Sequence, residues 1–531
     1  MAPHQQESIE TRRQALQATI DTGRSAAERN RLGQFATPNP LALEIAGYVA
    51  TLVGRDAPPM RFADPALGSG SFFSAALAVF GAGRIESAIG IEIDPTFAHA
   101  ARDLWAGAGL EVIPGDFTRL VASEACPPSP NIVLANPPYV RHHHLTRDEK
   151  ERMQHLARRM TGINVSGLAG LYVYFLLLST AWMQDEGIAA WLIPSEFMDV
   201  NYGAALKSFL TDRVTLIRVH RFDPDDVQFG DALVSSAVVV FRKALPGTSH
   251  TIELSLGGTL TSPRTRDFVP VQTLRQARKW TAFPAHSTND RRNSNDGQGP
   301  VLGDLFRIQR GIATGCNQFF ILDRTDARRR SLPDCYLRPI LPSPRHLKTT
   351  VIDADAEGYP RVDRPQCVID CDLPETVIAA RFPRLWEYLR SAQSLGILER
   401  YLVGKRNPWY KQEQREPTPF LCTYMGRGSV DKQPFRFIWN RSRAIATNLY
   451  LMLYPYSYLA SMLMCHPDRA ESVYALLGQV TARELRNQGR VYGGGLNKIE
   501  PSELGRVSAT AFVECWPELE PGSMRQASLL D

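Results

Sequence analysis

The chain has 531 residues, 44% hydrophobic and 22% charged, with a formal net charge of +5. Its 38 Gly and 37 Pro are ordinary usage and exclude a collagen-like or wholly disordered chain, and its eight Cys contain no C-x-x-C pair, which argues against a disulfide scaffold. At about 100–200 residues per domain this length fits two to four domains, each able to bury a core without covalent staples.

The first residues, MAPHQQESIETRRQ, lack the apolar core of a signal peptide, so free thiols in a reducing cytoplasm are expected. Residues 1–30 are polar, with Ile9, Leu16 and Ile20 at weak helical spacing, and read as a surface helix. From 61 to 243 short apolar runs (61–63, 88–93, 111–113, 131–135, 188–193, 215–220, 236–241) alternate with amphipathic stretches (72–80, 97–106, 149–159, 168–183, 202–210). Strands alternating with helices imply βαβ units and a mainly parallel sheet covered on both faces. The last two runs have no good helix between them, which suggests an antiparallel excursion at one edge. The run Leu171–Met183, broken by Ser179 and Thr180, is shorter than the ~20 residues of a membrane helix and reads as a core helix, so no membrane contact is expected. Residues 246–284 are ambiguous. Residues 285–300, AHSTNDRRNSNDGQGP, read as a linker or exposed loop.

Chemistry-bearing residues gather at the ends of successive strands. After the first comes Asp64-Pro65-Ala66-Leu67-Gly68-Ser69-Gly70, where Gly68 and Gly70 permit a sharp turn and close ligand approach before a helix N-terminus. The second strand ends in Glu92-Ile93-Asp94, an acid placed to accept from ribose hydroxyls. The third ends in Gly115-Asp116-Phe117, where Asp116 can accept from an adenine amino group while Phe117 or Ile93 covers the ring. With no Walker lysine, these acids suit an adenosine derivative without a triphosphate. The fourth strand ends in Asn136-Pro137-Pro138-Tyr139. Two consecutive prolines remove two donors and fix φ, leaving the Asn136 side-chain oxygen and the Pro137 carbonyl as rigid acceptors beside a ring, a fit for a planar substrate bearing NH₂.

This set resembles the N6-adenine-specific DNA methyltransferases, in the gamma order typified by the TaqI methyltransferase of type II restriction-modification. The segment that opens that order, Gly-Gln-Phe-Ala-Thr-Pro, stands at 33–38, and Gln228–Ala237 matches the family's segment before its last strand. The motifs cover about residues 31–243. The resemblance implies a class I S-adenosylmethionine-dependent methyltransferase fold, α/β and Rossmann-like, with a mainly parallel seven-stranded sheet, followed by a C-terminal α+β target-recognition domain. The division expected is a catalytic domain at 1–245, a connecting segment at 246–300 and the recognition domain at 301–531. It implies S-adenosylmethionine, with Thr37 and Asp64 near its methionine end, Ala66, Gly68 and Gly70 in the turn around it, Glu92 at the ribose, and Asp116 at the adenine with Phe117 or Ile93 against its ring. Asn136, Pro137, Pro138 and Tyr139 would hold a flipped adenine, with Phe229 packed on it. No metal is expected: the adjacent His142, His143 and His144 cannot easily converge on one ion, and Cys367 and Cys371 lack zinc spacing.

The second half is basic. Residues 301–531 hold 31 Lys/Arg against 25 Asp/Glu, and within 381–500 the balance is 18 to 9, which suits polyanion binding. Gln309–Asn317, Lys405–Tyr410 and Arg490–Lys498 interleave basic and aromatic residues with glycine, like segments of the family's recognition domains. The expected partners are double-stranded DNA and a separate cognate restriction endonuclease, the chain itself acting as a monomer. Rival readings are a methyltransferase of the same tetrapeptide acting on an RNA guanine or a protein glutamine, a cytosine-N4 enzyme, a DNA-binding specificity protein with an inactive methyltransferase fold, and a fused restriction-methylation enzyme. The early 33–38 segment and the large basic half speak against the first.

Overall fold

The structure is a computed structural model that describes residues 3–25, 28–29, 32–54, 58–120, 129–223, 235–283, 299–427, 433–492 and 495–520. The chain divides into two compact units, residues 1–294 with 492–494 and residues 295–491 with 495–531.

The first unit is built on one sheet. Its strands are β1 (Met60–Asp64), β2 (Ile85–Glu92), β3 (Leu110–Pro114), β4 (Ile132–Ala135), β5 (Ile188–Pro194), β6 (Thr215–Arg221), β7 (Ser236–Arg242), β8 (Thr251–Gly258) and β9 (Pro263–Pro270). They lie in the order β3-β2-β1-β4-β5-β7-β6-β8-β9. The first five strands in that row run parallel, β7 is antiparallel to both β5 and β6, β8 is parallel to β6, and β9 returns antiparallel to β8. The first seven positions are the class I methyltransferase arrangement.

Among the described residues the sheet nevertheless has nine strands where seven were expected. Residues 251–270, inside the expected connecting segment, extend its edge. β8 buries Ile252, Leu254 and Ser255, whereas β9 alternates in burial and turns Arg264, Arg266 and Phe268 outward. A polar, half-exposed strand of this kind closes a sheet edge against further pairing. Its hairpin is set by Gly257 and Gly258, both at positive φ, and a Cβ at Gly258 would lie 2.4 Å from the Ser262 carbonyl.

Helices cover both faces. On one side α2 (Asn39–Val53), α3 (Ser71–Phe80) and α4 (Pro95–Trp105) pack with Phe62, Leu134 and Leu192. On the other, α6 (Arg147–Thr161), α7 (Leu171–Trp182) and α8 (Ala204–Asp212) pack with Val133, Trp191 and Phe241. Burial on both faces explains why β4 and β5 read as continuous apolar runs. Helix α2 went unread in the sequence, although Leu41, Ala42, Ile45, Ala46 and Val49 form one helical stripe with a proline in the first turn. Further helices are α1 (Pro3–Thr22), the short α5 (Phe117–Leu120), and α9 (Val271–Gln276). Beyond β3 the chain crosses back over β1 to β4, so the order reverses there. Ligands of open α/β sheets bind at such a reversal, outside the carboxyl ends of the strands.

The second unit has no βα rhythm. Strands 306–310, 450–455, 420–423, 437–440 and 351–352 form a five-stranded sheet in that order, and 321–323, 366–369 and 337–340 form an antiparallel three-stranded one. Short helices flank them over two apolar clusters, an α+β texture. Among the described residues no helix is long and apolar enough to cross a membrane.

Candidate catalytic site at the strand ends

The turn after β1 is held by its own backbone. Asp64 is 1% exposed, and its Oδ1 accepts the Ala66 N–H at 3.0 Å. Gly68 and Gly70 both adopt positive φ, 54° and 89°. Gly70 has a second reason to be glycine: a Cβ there would lie 2.4 Å from Trp105 Nε1, which donates to the Ser69 carbonyl at 3.0 Å. At Gly68 the space a Cβ would occupy is open.

Glu92 reaches across to the turn. One carboxylate oxygen accepts the Gly68 N–H and the other the Asp94 N–H, each at 2.8 Å. Burial is the main force raising the Asp64 carboxyl, to about 8; the Ala66 N–H opposes it and the neighbouring Glu92 adds to it. Burial likewise raises Glu92 against its backbone hydrogen bonds. Two buried acids side by side, with no cationic side chain paired to either among the described residues, make a site that a cationic ligand would stabilise. Ile93, 67% exposed at the same strand end, offers an open apolar surface for a ring.

Asp94 and Asp116 are more committed. Asp94 caps α4 through the Thr96 N–H at 2.9 Å and pairs with Arg24 at 2.6 Å. Asp116 accepts the Thr118 N–H and hydroxyl at 2.9 and 2.7 Å and lies 3.3 and 3.6 Å from Arg119 and Arg152. Phe117, one of two residues expected over a ring, is 1% exposed and packs in the core with Phe175 and Trp182 at 5.3 and 5.8 Å between centroids. Its side chain faces inward because α5 begins there and presents its apolar side to α7. Of the pair, Ile93 alone is open.

At the end of β4 the Asn136 amide is oriented by a remote segment. Its Nδ2 donates to the Phe35 carbonyl at 2.9 Å and to Thr37 Oγ1 at 3.1 Å. Its Oδ1 is buried and accepts no hydrogen bond among the described residues. Thr37, expected at the methionine end of a cofactor, touches the Asn136 side chain. Pro137 is buried and Pro138 half-buried. The Tyr139 N–H donates to the Gly33 carbonyl at 3.0 Å, its hydroxyl donates to the Leu192 carbonyl at 3.1 Å, and its ring lies 5.5 Å from that of Phe35. Gly33, at φ 65°, allows this approach: a Cβ would lie 2.5 Å from the Tyr139 nitrogen. The structure thus brings residues 33–37, 64–70, 92–93 and 136–139 to one sheet edge. Phe229 lies outside the described residues. The Phe35 carbonyl was missed by reasoning on side chains, and a backbone acceptor leaves no signal in residue identity.

The family model described as "Eco57I restriction-modification methylase" matches residues 131–228, and that described as "Type II methyltransferase M.Eco57I, C-terminal domain" matches residues 279–520. Type II methyltransferase M.XamI of Xanthomonas campestris pv. amaranthicola is 28% identical over 486 residues, spanning 90% of this chain and 85% of its own length. Type II methyltransferase M.AccI of Acinetobacter calcoaceticus is 24% identical over 501 residues, spanning 91% and 86%. Over most of its length the chain is thus similar to type II restriction-modification methyltransferases. Among solved structures, the type IIG restriction endonuclease BpuSI aligns with a TM-score of 0.44 at 16% identity, over 93% of this chain and 60% of that one. The type IIL enzyme MmeI in complex with DNA aligns at 0.49 and 13%, over 75% and 57%. The chain therefore spans less than two thirds of the length of either enzyme. The 131–228 match begins at β4 and takes in the Asn136–Tyr139 turn; the 279–520 match falls almost wholly in the second unit.

Proposed function

We propose that this methyltransferase transfers the methyl group of S-adenosylmethionine to the N6 amino group of an adenine turned out of double-stranded DNA. The observation that carries this reading is the polarised Asn136 amide: both hydrogen-bond partners lie on its nitrogen, and its oxygen is buried and unpaired. A buried acceptor left without a donor costs about 1–3 kcal/mol, and an arriving amine would recover that cost. Asn136 Oδ1 and the Pro137 carbonyl would each accept one N6 hydrogen. The nitrogen is thereby drawn toward tetrahedral geometry and its lone pair freed from the ring. Such catalysis rests on orientation and preorganised dipoles, without a strong base.

The strand ends fit the methyl donor. Asp64 and Glu92 are buried acids able to balance a cation, Ile93 is open to a ring, and the space at Gly68 is clear. When bound, S-adenosylmethionine supplies a methyl group made electrophilic by a positively charged sulfur. Glu92 retains lone pairs for ribose hydroxyls beyond the two it gives to backbone N–H groups. Asp116, already hydrogen-bonded to Thr118, would stand at the adenine, beside the Phe117 N–H that opens α5. Unpairing the target costs a few kcal/mol, offset by stacking on Tyr139 and Phe229. The basic 301–531 half would read the site, and a separate endonuclease of the same specificity would cut unmodified DNA in the cytoplasm. The chain would act on DNA as a monomer.

The test is to incubate the chain with S-adenosylmethionine and genomic DNA and map modified bases by single-molecule sequencing. N6-methyladenine at one strict motif is expected. N4-methylcytosine, or label carried by RNA or protein instead of DNA, would overturn the assignment.

A further inference from the structure

The N-terminal helix was read as a surface element, yet it carries one of the most buried cations of the first unit. Arg13 is 3% exposed. It is gripped by Glu10 on its own helix, Nε donating to Oε2 at 2.8 Å and one terminal nitrogen to Oε1 at 2.7 Å. The other terminal nitrogen leaves the helix and donates to Ser69 Oγ and to Ser71 Oγ, both at 2.8 Å. Glu10 is itself reached by Ser74 Oγ on α3 at 2.5 Å and by Gln14 at 2.8 Å. Burial works against the Glu10 carboxylate, but the hydrogen bonds from Arg13 and Ser74 outweigh it and hold the group below its ordinary value.

Ser69 is the residue between the two positive-φ glycines. Glycine has the most backbone freedom to lose on ordering, so a Gly-Ser-Gly turn is intrinsically soft. Here Trp105 fixes the Ser69 carbonyl and Arg13 fixes its hydroxyl, from opposite sides of the sequence. The same N-terminal segment continues past the end of β2, where Arg24 pairs with Asp94, and on to Phe35 and Thr37 at Asn136.

We propose that Arg13 is a positioning residue for the cofactor: through Ser69 and Ser71 it holds the Gly68–Ser71 turn in the shape that receives the methionine end of S-adenosylmethionine. This rests on the cofactor assignment above. Arg13 touches no reacting atom. Its effect belongs to binding, because a turn already ordered loses less entropy when the ligand arrives.

The experiment measures S-adenosylmethionine binding to the full-length chain by calorimetry, with amide hydrogen exchange across 68–71 and thermal unfolding alongside. Arg13→Met should weaken binding about tenfold, the loss of charge-assisted hydrogen bonds. It should speed exchange at 68–71 and leave kcat at saturating cofactor within about twofold. Arg13→Lys, which can reach one set of partners but cannot fork to both, should recover only part of the affinity. Should Arg13→Met fail to fold, the Ser69→Ala/Ser71→Ala pair removes the same contacts while leaving the Arg13–Glu10 pair intact, and the same loss of affinity is expected. Unchanged affinity and exchange in these variants, beside a wild type that binds, would overturn the positioning role and leave the cofactor assignment standing. So would equal losses in kcat and folding stability without a binding effect. A wild type that fails to bind S-adenosylmethionine would overturn both.

Discussion

The Asn136 amide can be taken apart with a two-residue cycle. Asn136→Ala deletes the unpaired Oδ1 and strips the Phe35 carbonyl and Thr37 Oγ1 of their donor. Thr37→Val keeps Oδ1 but removes the 3.1 Å bond, leaving, among the described residues, the 2.9 Å hydrogen bond to Phe35 to hold the amide plane. Deleting one preorganised dipole costs about 2.7–4 kcal/mol, so Asn136→Ala should lower kcat about 10²–10³-fold. One ordinary hydrogen bond is worth about 0.5–1.5 kcal/mol, so Thr37→Val should cost about two- to tenfold. If Thr37 works only by aiming Asn136, its substitution should have no further effect on the rate in the Asn136→Ala background, a coupling equal to its whole single effect. The assay is single-turnover transfer of a tritiated methyl group to duplex DNA for all four proteins, with cofactor affinity measured separately. Affinity should stay within about twofold, since neither residue bonds the 64–70 turn. An Asn136→Ala protein that binds both substrates and turns over within about fivefold of wild type would refute the acceptor role. Equal Thr37→Val effects in both backgrounds would refute the aiming role.

Asp64 makes stability depend on pH. Its carboxyl is raised by burial from 3.8 to about 8, so the folded chain holds that proton more tightly than the unfolded one. The corresponding stability is present below the ordinary value and is lost as pH climbs toward the raised one. Asp64→Asn should therefore gain on wild type from about pH 4 to about pH 8 in urea unfolding, and a constant difference across that range would count against the shift. The same logic makes binding of a cationic cofactor near neutral pH release protons, seen as a calorimetric enthalpy that varies with buffer; a buffer-independent enthalpy would contradict it. Gly33→Ala forces a Cβ to within 2.5 Å of the Tyr139 nitrogen at φ 65° and should cost about 1–3 kcal/mol of stability while slowing transfer, with no change in urea midpoint as the contrary result. If the basic 381–500 region contacts several phosphates, DNA affinity should fall steeply, by orders of magnitude, between about 50 and 200 mM salt, whereas a flat titration would remove the electrostatic argument.

The strand ends were legible because their chemistry lies in residue type and order. Asp64, Glu92 and Asp116 follow apolar runs at regular intervals, and Asn136-Pro137-Pro138-Tyr139 announces two fixed acceptors. The roles of those acids were less legible, since a carboxylate at a strand end is also the natural cap of the following helix. Asp94 and Asp116 are spent largely in that way, and the sequence offers no means of telling a cap from a ligand contact. Phe117 failed for a related reason: an aromatic residue beside a pocket and one at the foot of a core-facing helix look alike until the helix is placed. Strands β8 and β9 were missed because a polar edge strand lacks the apolar run that marks a central one, and α2 was missed for want of any motif to draw attention to its stripe.

What sequence order hides most completely is the dependence of the Asn-Pro-Pro-Tyr turn on residues about a hundred positions earlier. An amide side chain presents an oxygen and a nitrogen of nearly equal shape, and nothing in the tetrapeptide says which faces the substrate. The Phe35 carbonyl settles the matter because it can only accept, so the atom facing it must be Nδ2 and the atom left over must be Oδ1. Thr37 could donate or accept and would not decide it alone. Gly33 brings that carbonyl within reach by letting two backbones touch where any side chain would collide. The Gly33–Pro38 segment therefore holds the Asn136–Tyr139 turn, whatever else it lines. If Asn136 accepts the target amine as proposed, this segment sets the polarity of its amide, and substitutions at 33 or 37 should act on the methyl-transfer step before they act on cofactor affinity.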